Sequence, residues 1–100
     1  MAVFKPAQSS DDCFRWPSGI NLTSNLAMGN SAGTVEDSGI RFSNVTIPKE
    51  AIIIKAVVTF QANFTDSNTT CNIKIKGEAA DNPNTFSTQA DYDGRTRTYE

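Results

Sequence analysis

Apolar and polar residues alternate through the middle of this chain. Ile54, Ala56, Val58, Phe60 and Ala62 fall on one side of a two-residue period, and Lys55, Thr59 and Gln61 on the other. That spacing predicts a β-strand with one wet face. Cys71, Ile73 and Ile75 alternate with Asn72, Lys74 and Lys76 in the same way, and Asp66-Ser67-Asn68 between the two runs favours a turn. The pair reads as a hairpin with Phe60 and Ile73 facing inward. Ile52-Ile53-Ile54 breaks the alternation, and a run apolar on both sides predicts a strand start that is covered twice, one cover being another chain or domain.

The flanking stretches read as further strands and loops. Cys13 and Arg15 oppose Phe14 and Trp16 at a strand period that Pro17-Ser18-Gly19 ends. Ile20 to Ser38 reads as a polar loop with a short strand at Asn25 to Gly29, and Gly29-Asn30-Ser31-Ala32-Gly33 as surface loop. Ile40 to Val45 is the next expected strand, with Arg41 outward or edge-facing, and Pro48 then turns the chain. Beyond Gly77 a polar loop carries Phe86 as a plug for the core, Asp91 to Gly94 reads as a turn, and Arg95 to Tyr99 as an unfinished edge strand. Five or six strands fall short of the about seven of a typical sandwich. The expected class is therefore an all-β, antiparallel β-sandwich, incomplete or completed by a partner chain. Residues 1–100 form a single domain or the first part of a larger one.

Composition changes this picture little. A net charge of −2, from nine basic and eleven acidic residues, gives no electrostatic footprint for nucleic acid. No run approaches eighteen apolar residues, so membrane insertion is not expected, and the first residues lack the pattern of an export signal. With no histidine and two distant cysteines, a zinc site is excluded. Cys13 and Cys71 either bridge, should the first strand lie beside the hairpin, or stay as two buried thiols.

Candidate chemistry is sparse. Glu78, Asp81 and Asn82 offer three oxygen-bearing side chains within five residues, enough for calcium with help from backbone carbonyls, although the string is no EF-hand loop. Otherwise no cofactor is expected. Trp16, Tyr92 and Tyr99 could stack on a sugar face while Arg95, Arg97, Asp91 and Asp93 bond its hydroxyls. A lone tryptophan more commonly packs. The close acidic pairs, Asp11-Asp12 and Asp91-Asp93, do not meet the geometry of glycoside cleavage, because neighbours on a strand point to opposite faces and the second pair lies in a turn. The chain is not expected to be an enzyme.

Several segments resemble the first half of a jelly-roll module. They are Ser10-Asp11-Asp12, the run from Gly39 to Lys49, Ala56 to Phe60, Ile75 to Glu78 with Asp81-Asn82, Thr85-Phe86-Ser87, and Arg95 to Thr98. Such modules are similar to carbohydrate-binding modules and recur in secreted bacterial surface proteins, polysaccharide-degrading enzymes and phage structural proteins. Glu50 departs from the pattern, standing where the family usually shows glycine. The resemblance implies a non-catalytic structural unit of an extracellular or virion assembly, working as a homo-oligomer or with the remainder of a longer protein. The alternative it implies is an adhesive, polysaccharide-binding module.

Overall fold

The computed structural model describes residues 2–22, 25–31, 33–61 and 72–98. Four antiparallel strands, β1 (Asp12–Trp16), β2 (Gly19–Asn21), β3 (Gly29–Ser31) and β4 (Thr34–Ile40), form one open sheet in the order β2-β1-β4-β3. A turn of 3-10 helix (Ser9–Asp11) leads into β1, and a six-residue helix, α1 (Gln89–Gly94), lies near the end of the chain. The described chain is thus all-β with little helix.

The first hairpin follows from Pro17-Ser18. These two residues connect β1 to β2 so that Trp16 pairs with Gly19 and Arg15 with Ile20. Gly19 leaves room for the indole: a Cβ there would lie 2.6 Å from the Trp16 ring. The second hairpin pairs Ser31 with Thr34, and Gly33 sits at φ +84°, a value glycine adopts without steric cost. Of the residues expected to form a surface loop, Gly29–Ser31 therefore supply an edge strand and Gly33 a turn, with Ala32 outside the described residues, and the strand expected at Asn25 to Gly29 begins only at Gly29.

The expected strand from Ile40 to Val45 is displaced toward the N-terminus. β4 runs Thr34–Ile40, and just beyond it the Arg41 N–H still bonds the Asp11 carbonyl at 2.7 Å. Pattern alone hides β4 because its polarity is inverted: Val35 is exposed while Thr34 and Glu36 are half-buried.

Facing residues of an antiparallel pair share one side of the sheet. Cys13 opposite Gly39, and Arg15 opposite both Ile20 and Asp37, define the covered side. There Cys13, Phe86 and Tyr92 form the buried cluster, with Ile20 and Leu22 partly buried against it. The Phe86 and Tyr92 rings meet at 6.0 Å. Gly39 makes this possible, since a Cβ would stand 2.5 Å from the Phe86 Cζ and 3.0 Å from the Cys13 Sγ. Phe86 plugs the core as its sequence context predicts.

The amphipathic hairpin is not formed in the described part of the two runs. Residues 51–61 and 72–77 belong to no ladder, and their apolar side chains are exposed: Ile52 by 89%, Ile54 by 95%, Phe60 by 40% and Ile73 by 47%. The inward assignment of Phe60 and Ile73 is corrected accordingly. The cause is a shortage of template. The sheet edges, β2 and β3, are three residues each, too short to seat a strand of eleven residues, and the covered face is already taken by Phe86, Tyr92 and α1. Ala62 and Cys71 lie outside the described residues, as does the expected Asp66-Ser67-Asn68 turn. A Cα radius of gyration of 14.6 Å, against about 13 Å for a compact domain of this length, fits a chain that leaves part of itself unpacked.

The Pro48 turn is present, with the Ala51 N–H donating to the Pro48 carbonyl at 3.1 Å. Its third residue, Glu50, sits at φ +68°. A positive φ at that position is what favours glycine in a type II turn, and here a glutamate carries it.

Candidate functional site

Two polar clasps hold the sheet to the rest of the chain. In the first, Asp11 is fully buried. One carboxylate oxygen accepts the Ala7 and Gln8 N–H groups at 3.1 and 3.2 Å, and the other accepts Arg41 Nη1 at 2.8 Å. Arg41 also donates its backbone N–H to the Asp11 carbonyl at 2.7 Å and its Nε to the Pro83 carbonyl at 2.7 Å. The sequence places Arg41 outward or at an edge; in the structure it is a three-way tie among the N-terminal turn, the end of β4 and the 83–86 segment. Its hydrogen bond holds the Asp11 carboxyl below the usual carboxylate range, although burial opposes it.

The second clasp centres on Arg95, whose side chain is 9% exposed. Its guanidinium binds Glu78 at 3.0 Å and Asp91 at 2.9 Å, donates to the Asn84 and Thr85 carbonyls at 2.9 and 2.8 Å, and lies 4.5 Å from the Phe86 ring centre. Burial works against the charge, but the two carboxylates outweigh it and keep the Arg95 pKa above its ordinary value. Arg97 donates to the Tyr92 carbonyl at 2.9 Å and covers the Tyr92 ring at 4.8 Å. Glu78 and Arg97 form one antiparallel bridge, flanked by Ala79 N–H to Thr96 carbonyl and Thr98 N–H to Gly77 carbonyl, both at 2.8 Å. The expected open edge at Arg95 to Thr98 is therefore paired, and Tyr99 lies outside the described residues.

Helix α1 is stitched to β1 from above. Arg15 binds Asp93 through two contacts of 2.9 and 3.1 Å, and Gln89 donates to the Trp16 and Pro17 carbonyls at 3.3 and 3.0 Å. Asp91 to Gly94, expected as a turn, is helical instead. The signal that finds it is Thr88 followed three residues later by Asp91, a cap pattern, with Thr88 Oγ1 accepting the Asp91 N–H at 3.1 Å.

The sequence-predicted site residues therefore scatter into structural roles. Tyr92 is buried, and burial pushes its hydroxyl pKa up. Both terminal nitrogens of the Arg95 guanidinium are taken by protein oxygens. Trp16 lies over Gly19 and 5.5 Å from the Phe14 ring on the opposite side of the sheet from Tyr92, so the proposed stacking residues do not converge. Of the calcium candidates, Glu78 is bound to Arg95, while Asp81 and Asn82 are exposed. Among the described residues no group of three or more His, Cys, Asp or Glu is gathered as a metal site would require. Cys13 is a buried free thiol whose pKa burial raises; Cys71 lies outside the described residues.

An open groove of about 530 Å³ runs beside the outer part of β4, lined by Arg15, Glu36, Asp37, Lys74, Lys76, Asp93 and Arg97 among others. Its charges are mixed, and Arg15 and Arg97 are engaged by neighbouring protein groups, so it does not focus charge of one sign.

A different surface stands out. From Ala51 to Gln61 every residue is exposed and outside the sheet, with Ile52, Ile53, Ile54, Val57, Val58 and Phe60 presented to solvent. Scattered exposed apolar residues are ordinary, but here six of them are gathered within nine consecutive positions. The fold and this strip define a small antiparallel β protein with an unsatisfied apolar segment. Comparison with known protein families, with characterised proteins and with solved structures finds no match to this chain.

Proposed function

We propose that this chain is a non-catalytic structural module that assembles with other chains, in an extracellular or virion complex, and that its open sheet is part of an antiparallel β-sandwich of jelly-roll type completed on assembly. The observation that carries the reading is the exposure of residues 51–61, a strip whose alternation suits a half-buried strand and whose apolar side has no cover within the described chain. β-strand addition supplies such a segment with hydrogen bonds through main chain alone and needs no site motif. Ile73 and Ile75 are exposed as well and alternate with Lys74 and Lys76. The polysaccharide-binding alternative loses support because Tyr92 and Arg95 are committed to the interior.

Light scattering at tens of micromolar tests this reading. The expected mass is a multiple of 10.8 kDa, unchanged by added polysaccharide. A mass of 10.8 kDa throughout that range overturns it.

A further inference from the structure

Independently of the assembly reading, we infer that residues 42–61 hold a processing site: a lysine-directed endoprotease cuts the unassembled chain first at Lys55–Ala56, and the two pieces stay together as one folded body. Hydrolysis of that bond needs only water, whose hydroxyl goes to the Lys55 carbonyl carbon and whose proton goes to the Ala56 nitrogen. A protease must draw its substrate into its own cleft, so nicking concentrates where backbone is exposed and makes few hydrogen bonds. Among the described residues, the stretch from Phe42 to Gln61 makes a single main-chain hydrogen bond, from the Ala51 N–H to the Pro48 carbonyl, and Lys49, Lys55 and Ala56 are exposed. Glu50, just after Lys49, is held in that turn at φ +68°, whereas Lys55 lies beyond it. Lys55 is therefore cut first.

The basic residues divide between this segment and the body. Arg15 binds Asp93, Arg41 binds Asp11 and the Pro83 carbonyl, Arg95 binds Glu78 and Asp91, and Arg97 binds the Tyr92 carbonyl, so the arginines are engaged within the fold. Lys49, Lys55, Lys74 and Lys76 are exposed and outside the ladders. Lys5, the remaining lysine, precedes Pro6, a junction such proteases do not cut because the ring takes the place of the amide hydrogen. A lysine-directed enzyme thus meets its substrate between Arg41 and Gly77, and an arginine-directed enzyme meets engaged side chains. The body is built from both sides of the cut. All four strands lie before it. Phe86, after it, donates its N–H to the Ser10 carbonyl at 2.9 Å and packs against Cys13, and the Arg41–Pro83, Arg15–Asp93 and Gln89–Pro17 contacts join the same two pieces.

Brief digestion of the full chain by a lysine-specific and, separately, an arginine-specific endoprotease tests this, at high dilution so that assembly does not cover the site. The products are identified by mass spectrometry, concentrated and run on a native gel-filtration column. The lysine-specific enzyme is expected to consume the intact 10.8 kDa chain with the cut after Lys55 appearing first, and both pieces are expected in one native peak. The arginine-specific enzyme should be slower by roughly tenfold or more, because its sites are reached only in the small population of opened molecules. Equal rates for the two enzymes, a first cut outside residues 42–61, or pieces that separate on the native column overturns the inference. The mass of the uncut chain, which decides the assembly reading, is untouched by any of these results.

Discussion

At the scale of single residues, Asp11 is a fully buried carboxylate that ties the N-terminal turn to the end of β4. Asp11→Ala leaves the Arg41 guanidinium without its carboxylate and strands two amides, a loss of about 3 kcal/mol that a denaturant midpoint will register. Because folding depresses the pKa of Asp11, and Arg95 does the same to Asp91, the unfolded chain binds more protons just below the ordinary value of 3.8. Both contributions are therefore complete near neutrality and disappear as the pH falls through the folded-state values. Asp12 has the opposite sign. Burial, reinforced by the charge of Asp11, raises its pKa, and its Oδ1 is buried without a hydrogen-bond partner. Its ionisation costs stability as the pH rises through 3.8 and above. Asp12→Asn is accordingly expected to raise the midpoint at pH 7 and to lose that advantage in acid; an equal gain at both pH values would contradict this assignment. Gly39 is the steric counterpart. Gly39→Ala forces the Phe86 ring off the sheet at a cost of about 1–3 kcal/mol, whereas Gly94→Ala, with nothing within 4 Å of its new Cβ, should be neutral or slightly stabilising.

At the scale of elements, α1 shows how a short helix survives by attachment. Six residues are too few for a helix to persist by propensity, so α1 depends on its Thr88 cap, on Asp93 bound to Arg15 and on Gln89 bound to the turn after β1. Thr88→Ala is expected to cost about 1 kcal/mol in thermal or denaturant unfolding. It should also speed amide exchange at Asp91 and Tyr92 before the rest of the sheet, since the cap closes the first turn only. The Asp11–Arg41 clasp fixes the end of β4 in the same manner: beyond the Asp12–Ile40 pair the Arg41 N–H still bonds the Asp11 carbonyl, while the Asp11 carboxylate holds the Arg41 side chain.

At the scale of the whole molecule, the buried hydrophobic cluster among the described residues is three side chains, while six large aliphatic or aromatic ones between Ile52 and Phe60 face solvent. A domain of this size buries little enough surface that association contributes directly to stability. The thermal midpoint is therefore expected to rise with chain concentration. Phe60→Ala should lower that midpoint at high concentration and change it little at high dilution, where the ring is already 40% exposed. A midpoint independent of concentration would assign the apolar strip some other cover.

The sequence by itself determined an all-β chain: the alternation around Cys13 to Trp16, the break at Pro17-Ser18, the Pro48 turn and the inward role of Phe86 are all local signals, and all are present in the structure. Periodicity measures what a segment could cover, not whether a surface exists for it to cover. Residues 51–61 therefore carry the strongest strand pattern in the chain and yet lie outside the sheet, while Thr34–Ile40, with Glu, Asp and Gly in its middle, forms the longest strand. Only tertiary structure could decide this, because β4 is held by pairing with β1 across a gap of many residues and by the missing Cβ of Gly39. The same holds for the charged side chains. Arg41, Arg95 and Arg97 look like surface arginines in the sequence, and became structural when the fold brought Asp11, Glu78, Asp91 and a set of backbone carbonyls within hydrogen-bond reach.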